Sequence, residues 1–289
     1  MAVLLVFLCF PALSLEVPSA VVDSDWLNDR LGQPGLSVIE VSSEVSFEFD
    51  GHIPGAAVTV KGAWRIDDAD GVYVRRPVKE LQSRIRNLGV NDGDAVVIYG
   101  KGLETNDLLG ATYLFWVFHF LGHENVALLD ESWLGWLAAD GEVATEAPKV
   151  RNGTFVARPN TALSISTDEV FAVYKTATIV DGRPAGHYSG KTKFPSNSKF
   201  GRIPGSLSQP WPEYIGKDMD GLLYMITAMP NLLETEGLKP DEPLILTCFG
   251  GTGAAMNFVL FRYYGYKNLR LHDAGIRRWN LRNLPLVKD

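Results

Sequence analysis

The sequence is poor in the residues that most often carry metal, redox or nucleic-acid chemistry. It has only two cysteines, Cys9 and Cys248, and five histidines in 289 residues. No spacing of His, Cys, Asp or Glu assembles the ligands of a metal site, and no motif asks for a cofactor. The formal net charge is −7, and no stretch gathers Lys and Arg into a continuous basic face, which excludes nucleic acid as a partner. Apolar residues make up 46% and charged residues 21%, so a disordered or fibrous chain is excluded as well. A long apolar run occurs only at the start, and it is too short to span a bilayer.

That run, "MAVLLVFLCFPALSL" over residues 1–15, has the apolar core and small-residue end of a secretory signal, although Lys and Arg are missing from its n-region. The expectation is a periplasmic or secreted protein with no membrane span once the signal is removed. The competing reading is an N-terminal strand of a cytoplasmic protein. Removal of the signal leaves Cys248 as the one thiol, with no partner for an intramolecular disulfide. A lone thiol in an oxidising compartment is a liability unless something needs it.

Three blocks recur in the same order. "GHIPGA" at 51–56 returns as "GRIPGS" at 201–206, "LGVNDGDAVVIYG" at 88–100 aligns with "EGLKPDEPLILTC" at 236–248, and "GHENVALLD" at 122–130 aligns with "GYKNLRLHD" at 265–273. This is a tandem duplication, with one half over residues 16–145, a polar linker over 146–160 and a second half over 161–289. Each half alternates short runs that are apolar on both faces, such as "AVVIY" and "LILTC", with helical stretches expected over 77–88, 108–121, 229–236 and 253–264. Strands of that kind are buried parallel strands, so each half is expected to be an α/β unit, a mainly parallel sheet covered by helices on both faces. The aromatic stretch "YLFWVFHF" reads as core rather than a cofactor stripe.

In such sheets the site forms beyond the carboxyl ends of the strands, which is where "LILT" delivers Cys248. Phe249, Gly250, Gly251, Thr252 and Gly253 follow, and then a helix. The glycines let the chain curl so that successive N–H groups turn inward at the helix's positive end. The expectation is a nest that favours thiolate and lowers the pKa of Cys248.

With "GHIPGA", "GRIPGS", "IVDGRPAGHYSGK", the Cys-x-x-Gly loop at 248–251 and the closing "DAGIRRW…LP" run, the sequence resembles a tandem-domain rhodanese, of the thiosulfate and 3-mercaptopyruvate sulfurtransferase kind. The resemblance covers nearly the whole chain after the leader. It implies that Cys248 takes the sulfane sulfur of a small anionic donor, releases sulfite or pyruvate, and passes the sulfur from a persulfide to cyanide, a small thiol or a protein thiol. It implies a donor-binding role for Arg183, with Asp181 orienting nearby backbone or that arginine, and a weaker, pH-dependent contact for His187, where some relatives carry a second arginine. The first half has Gly100 in place of the nucleophile and is expected to be catalytically silent, walling the cleft. His52 and His272 read as structural.

Two features depart from the family pattern. Gly253 stands where the mercaptopyruvate enzymes carry a threonine, with Thr252 one place earlier. The second half also carries nine more residues between its first strand and its IPG motif than the first half does, including Lys191, Lys193 and Lys199. A cysteine phosphatase is the remote alternative, since its loop needs a terminal arginine that "CFGGTGAA" lacks. A non-catalytic persulfide carrier that receives sulfur from a partner is the nearer one.

Overall fold

The computed structural model describes residues 15–227 and 237–289. The leader up to residue 14 and the helix expected over 229–236 lie outside the described residues. In chain order the first half runs β1 (Val21–Val22), α1 (Ser24–Asn28), β2 (Leu36–Val41), α2 (Glu44–Phe49), β3 (Ala57–Thr59), β4 (Arg65–Asp67), β5 (Tyr73–Arg75), α3 (Val78–Asn87), β6 (Ala95–Gly100), α4 (Thr105–Phe120), β7 (Val126–Leu129) and α5 (Ser132–Ala138). The second continues with α6 (Thr167–Val173), β8 (Thr178–Asp181), α7 (Ala185–Ser189), β9 (Leu207–Ser208), β10 (Ile215–Lys217), β11 (Leu223–Met225), β12 (Leu244–Thr247), α8 (Thr252–Tyr263), β13 (Leu269–Leu271) and α9 (Gly275–Leu281).

The first sheet is wholly parallel, in the order β1-β7-β6-β2-β3, and the second repeats it as β13-β12-β8-β9. The position of β1 is taken in the second half by a single parallel bridge, Ser164 to Leu271. Every residue of β6 and β12 is buried, as strands covered on both faces must be. The register pairs Val41 with Gly100 in one half and Asp181 with Thr247 in the other, so Gly100 and Cys248 leave equivalent strand ends.

Helix α4 is apolar around its whole circumference and buried from Leu108 to Phe120, because one face lies on its own sheet and the other on α8. Phe115 meets Phe258 edge-to-face across that seam, with ring centroids 6.3 Å apart. It starts three residues earlier than the apolar pattern implies, since Glu104 and Asp107 form a capping box. No helix among the described residues is long and apolar enough to cross a membrane.

Two hairpins stand outside the repeated strand–helix pattern of the sequence. Each half extends a short antiparallel arm, β4–β5 or β10–β11, onto the strand-end loop of the other half. Leu223 of the second arm donates its N–H to the Gly102 carbonyl at 2.8 Å, and a Cβ on Gly102 would lie 2.2 Å from the Leu223 carbonyl oxygen. In the same half a Cβ on Gly100 would lie 2.8 Å from the carbonyl carbon of Asp107. At that strand end the first half has neither a side chain nor the room for one.

Candidate functional site

Cys248 sits at the end of β12, only 3% exposed. Its carbonyl and that of Phe249 accept hydrogen bonds from the amides of Ile276 and Arg277, at 2.8 and 3.1 Å. These bonds turn the loop's carbonyls towards α9 and its N–H groups towards the sulfur. Gly275 makes the approach possible, since at φ +56° a Cβ there would lie 2.5 Å from the Cys248 oxygen. Gly251, at φ 91° and ψ −38°, donates its N–H to Cys248 Sγ at 3.1 Å, and α8 begins at the next residue. This gives the closing "DAGI" run a physical task, which is to hold the loop amides inward.

The electrostatics differ from the sequence expectation in one respect. Burial pushes the Cys248 thiol up from its ordinary range. The amides of Ala254 and Gly250 and the Arg65 guanidinium pull it down by less, and Asp181 adds a further upward push. The amide nest is aimed at the sulfur, but the sulfur is too dry at rest for the nest to prevail.

Around the thiol is a cavity of about 300 Å³. Its lining contains four cations, Lys61, Arg65, Arg183 and Arg277, and no aspartate or glutamate. A space with that lining selects small anions. Of the residues singled out in the sequence, Cys248, Phe249, Gly250, Thr252, Gly253 and Arg183 line it, whereas Asp181, His187 and Gly251 do not. Asp181 lies behind Arg183, accepting from its backbone N–H at 3.0 Å, from Nε at 2.9 Å and from Nη2 at 2.6 Å. Nη2 also donates to the Gly201 carbonyl, so Nη1 is the end of the fork that neither partner engages. Gly251 contributes its amide from behind the sulfur.

His187 stacks on Phe194 with centroids 4.4 Å apart, and Phe194 in turn stacks on Phe249 at 3.8 Å. His187 stands outside the lining of the cavity: its ring is the outer end of an aromatic stack, and burial together with Arg183 lowers its pKa. The three lysines of the added segment also stay away from the cavity. Lys193 bonds the Asn197 carbonyl and Lys199 the Asn283 carbonyl. What that segment brings to the site is Phe194. His52 bonds the Phe47 carbonyl at 2.9 Å, and both ring nitrogens of His272 bond threonine hydroxyls, Thr167 and Thr247. Among the described residues no three His, Cys, Asp or Glu side chains cluster as metal ligands.

Sequence reasoning missed Lys61, Arg65 and Tyr73, because they belong to the other half, and Trp211 and Arg277, because nothing in their local pattern marks them. Trp211 explains the departure at Gly253. A Cβ on Gly253 would fall 2.3 Å from Trp211 Cδ1 and 3.0 Å from Cγ, near the root of a side chain whose backbone N–H is tied to the Gly182 carbonyl at 2.9 Å. The indole occupies the place a threonine would need. Gly253→Thr is therefore expected to destabilise the fold by roughly 1–3 kcal/mol, as overpacking does, and Trp211→Ala in the same chain to recover much of it. Thermal unfolding of the single and double variants decides this; a Gly253→Thr midpoint equal to that of the unaltered protein removes the explanation.

Comparison with known proteins agrees with this architecture. The family model described as a rhodanese-like domain matches residues 23–139 and again 167–282. The putative thiosulfate sulfurtransferase SseA of Mycobacterium leprae is 30% identical over 290 residues, which cover 96% of this chain and 94% of that protein. The sulfur carrier protein TtuD of Thermus thermophilus is 26% identical over 287 residues, covering 94% of this chain and 97% of that one. Among solved structures, that of SseA from Escherichia coli, described as a 3-mercaptopyruvate sulfotransferase with the rhodanese fold, has a TM-score of 0.72 at 24% identity, a likeness of fold over 89% of this chain and 98% of that one. With two matched domains, a repeated sheet order and a cysteine loop at the end of β12, the chain belongs to the rhodanese family.

Proposed function

We propose that the protein is a sulfurtransferase that moves sulfane sulfur from a small anionic donor, thiosulfate or 3-mercaptopyruvate, through a persulfide on Cys248. The observation that carries this reading is the placement of one thiol, with an amide N–H on its sulfur, in a cavity lined by four cations and no carboxylate. The Cys248 thiolate attacks the outer sulfur of the donor, and a new S–S bond forms. The bond between that sulfur and the rest of the donor breaks with its electron pair, releasing sulfite, or the enolate of pyruvate, which then takes a proton. The terminal persulfide sulfur carries the negative charge, and the inward amides of the loop hold it. Cyanide or a thiolate then attacks that sulfur and returns Cys248 to thiolate. Arg183, fixed by Asp181, grips the donor's carboxylate or sulfonate. In this scheme the first half supplies no nucleophile.

The likeness to a sulfur carrier supports a second reading, in which the same persulfide is handed to a protein thiol rather than turned over with small acceptors. One experiment separates them. Intact-mass measurement after exposure to each donor is expected to show one added sulfur on Cys248, followed by its loss when cyanide is added. A persulfide that cyanide never discharges selects the carrier, and no added sulfur with any small donor overturns the enzyme. The pH dependence of the first step has a definite sign. Burial raises the thiol's pKa, and the reactive form is the thiolate, so the rising limb of the rate moves to higher pH. Persulfide formation is expected to keep rising past pH 8.5, about the value of a free cysteine. A rate that is already flat below about pH 7 means a thiolate at rest, and the balance described above is then wrong.

A further inference from the structure

We infer that Arg65, contributed by the catalytically empty first half, is a donor-binding residue, and that the donor's anionic group is held between it and Arg183; this rests on the sulfurtransferase reading. Arg65 lies at the root of the β4–β5 arm and lines the same cavity as Cys248 and Arg183. It is 4% exposed, so it is not a solvated surface charge. Its Nη2 is 3.9 Å from the position a Cβ on Gly250 would occupy, which places the guanidinium against the persulfide loop itself.

The group is held on several sides, with one donor left over. The rings of Tyr73 and Tyr113 flank it, with centroids 4.6 and 4.8 Å from Cζ. Nη2 donates to the Tyr73 carbonyl. Its one carboxylate partner among the described residues, Asp273, is 3.5 Å away and shares that oxygen with the Tyr113 hydroxyl at 2.9 Å, while the other oxygen takes the Arg75 amide. Nε–H is buried with no partner among the described residues. The neighbouring groups hold this guanidinium in its charged form despite burial, and its unpaired Nε–H leaves a buried donor that an anion entering the cavity satisfies. Lys61 is less suited to the part, since its ammonium is bonded to Asn106. Arg183 faces the cavity from the second half and Arg65 from the first, so a shared anion also senses how the two halves are seated.

Cys248 reports this without any knowledge of the natural donor. Iodoacetate and iodoacetamide alkylate the same sulfur and differ in charge, so the ratio of their rates, normalised to N-acetylcysteine, reads the field at the thiol. In the full-length protein that ratio is expected to favour iodoacetate. Arg65→Met is expected to lower it about tenfold, the equivalent of one buried charge contact, and to raise the KM for thiosulfate far more than it lowers kcat. Arg65→Lys keeps a charge but loses the flat fork and is expected to lower the ratio part of the way; it carries the test if Arg65→Met does not fold. A residue that merely props the loop changes both reagents alike, and an unchanged ratio in a folded variant overturns the inference. The two readings fail separately. Absence of any persulfide sinks the proposed activity while the alkylation ratio still reports on Arg65, and a normal persulfide with an unchanged ratio sinks the role of Arg65 alone.

Discussion

Cys248→Ser is expected to give a folded protein that transfers no sulfur, a loss of at least about 10³-fold and in practice to the background of the assay. The reaction passes through a covalent sulfur–sulfur bond, and a serine hydroxyl neither ionises in this cavity nor forms a stable bond of that kind. Stability should change little, by about 1 kcal/mol or less. The hydroxyl is smaller than the thiol, it sits at a site 3% exposed, and the Gly251 amide that donated to sulfur at 3.1 Å can donate to oxygen. Far-ultraviolet dichroism and thermal unfolding check the fold, while intact mass and thiocyanate formation check the chemistry. Sulfur appearing elsewhere on the variant, or residual turnover, ends the assignment of Cys248 as the sulfur-carrying residue. The first half already provides a natural version of the experiment. Gly100 occupies the equivalent strand end with no side chain, and the backbone of Asp107 stands where one would go.

Gly251→Ala is expected to have the second largest effect, although it adds a single methyl group. The residue sits at φ 91°, outside the region an L-residue adopts at ease, and its Cβ would lie 2.5 Å from Asp273 Oδ1 and 2.9 Å from the Asp273 carbonyl oxygen. Backbone strain and the clash together cost about 3 kcal/mol or more. Three consequences share one origin. The amide turns away from the sulfur, Asp273 is pushed off the Tyr113 hydroxyl, and the seat of Arg65 loosens. Transfer is expected to fall by about 10²-fold or more, the usual cost of one misplaced donor to a developing anion, and the thermal midpoint should fall with it. Gly250→Ala is the control. Its φ is unexceptional and its Cβ would meet only Arg65 Nη2, at 3.9 Å, so its fold should survive intact. A Gly251→Ala protein with unaltered kinetics and stability removes the claim that this loop geometry is what the chemistry depends on.

The cationic cavity also sets what the stack His187–Phe194–Phe249 does. Phe249 and Phe194 line one side of the space beside Cys248, His187 backs Phe194 from outside, and Phe194 comes from the segment that the first half does not have. The duplication therefore produced two sheets of one design, and the second acquired a wall that the first never needed. The exchanged arms complete the division of labour. The arm of the second half presses Leu223 against Gly102, at the strand-end loop of the first half, whereas the arm of the first brings Arg65 and Tyr73 beside Cys248.

Much of this was written in local pattern. Runs of four to six residues that are apolar almost throughout, such as "AVVIYG" and "LILT", read as strands covered on both faces, and their recurrence in one order declared the duplication. Glycines packed behind a strand-end cysteine announced inward amides before any coordinates, because few other sequences permit that curl. The exchange of arms, the four cations around the thiol and the indole standing at Gly253 were beyond it. Lys61 and Arg65 lie far from Cys248 along the chain, and nothing in "VKGAWRID" marks its residues as belonging to the opposite half's site. The sequence by itself determined that a thiol follows a buried strand and that glycines let the backbone curl around it, since both follow from the order and conformational freedom of adjacent residues. Only the tertiary structure decided the charge that surrounds the sulfur and how dry it is, because field and desolvation depend on distance through space and on what excludes water, and neither is a property of neighbours in the chain.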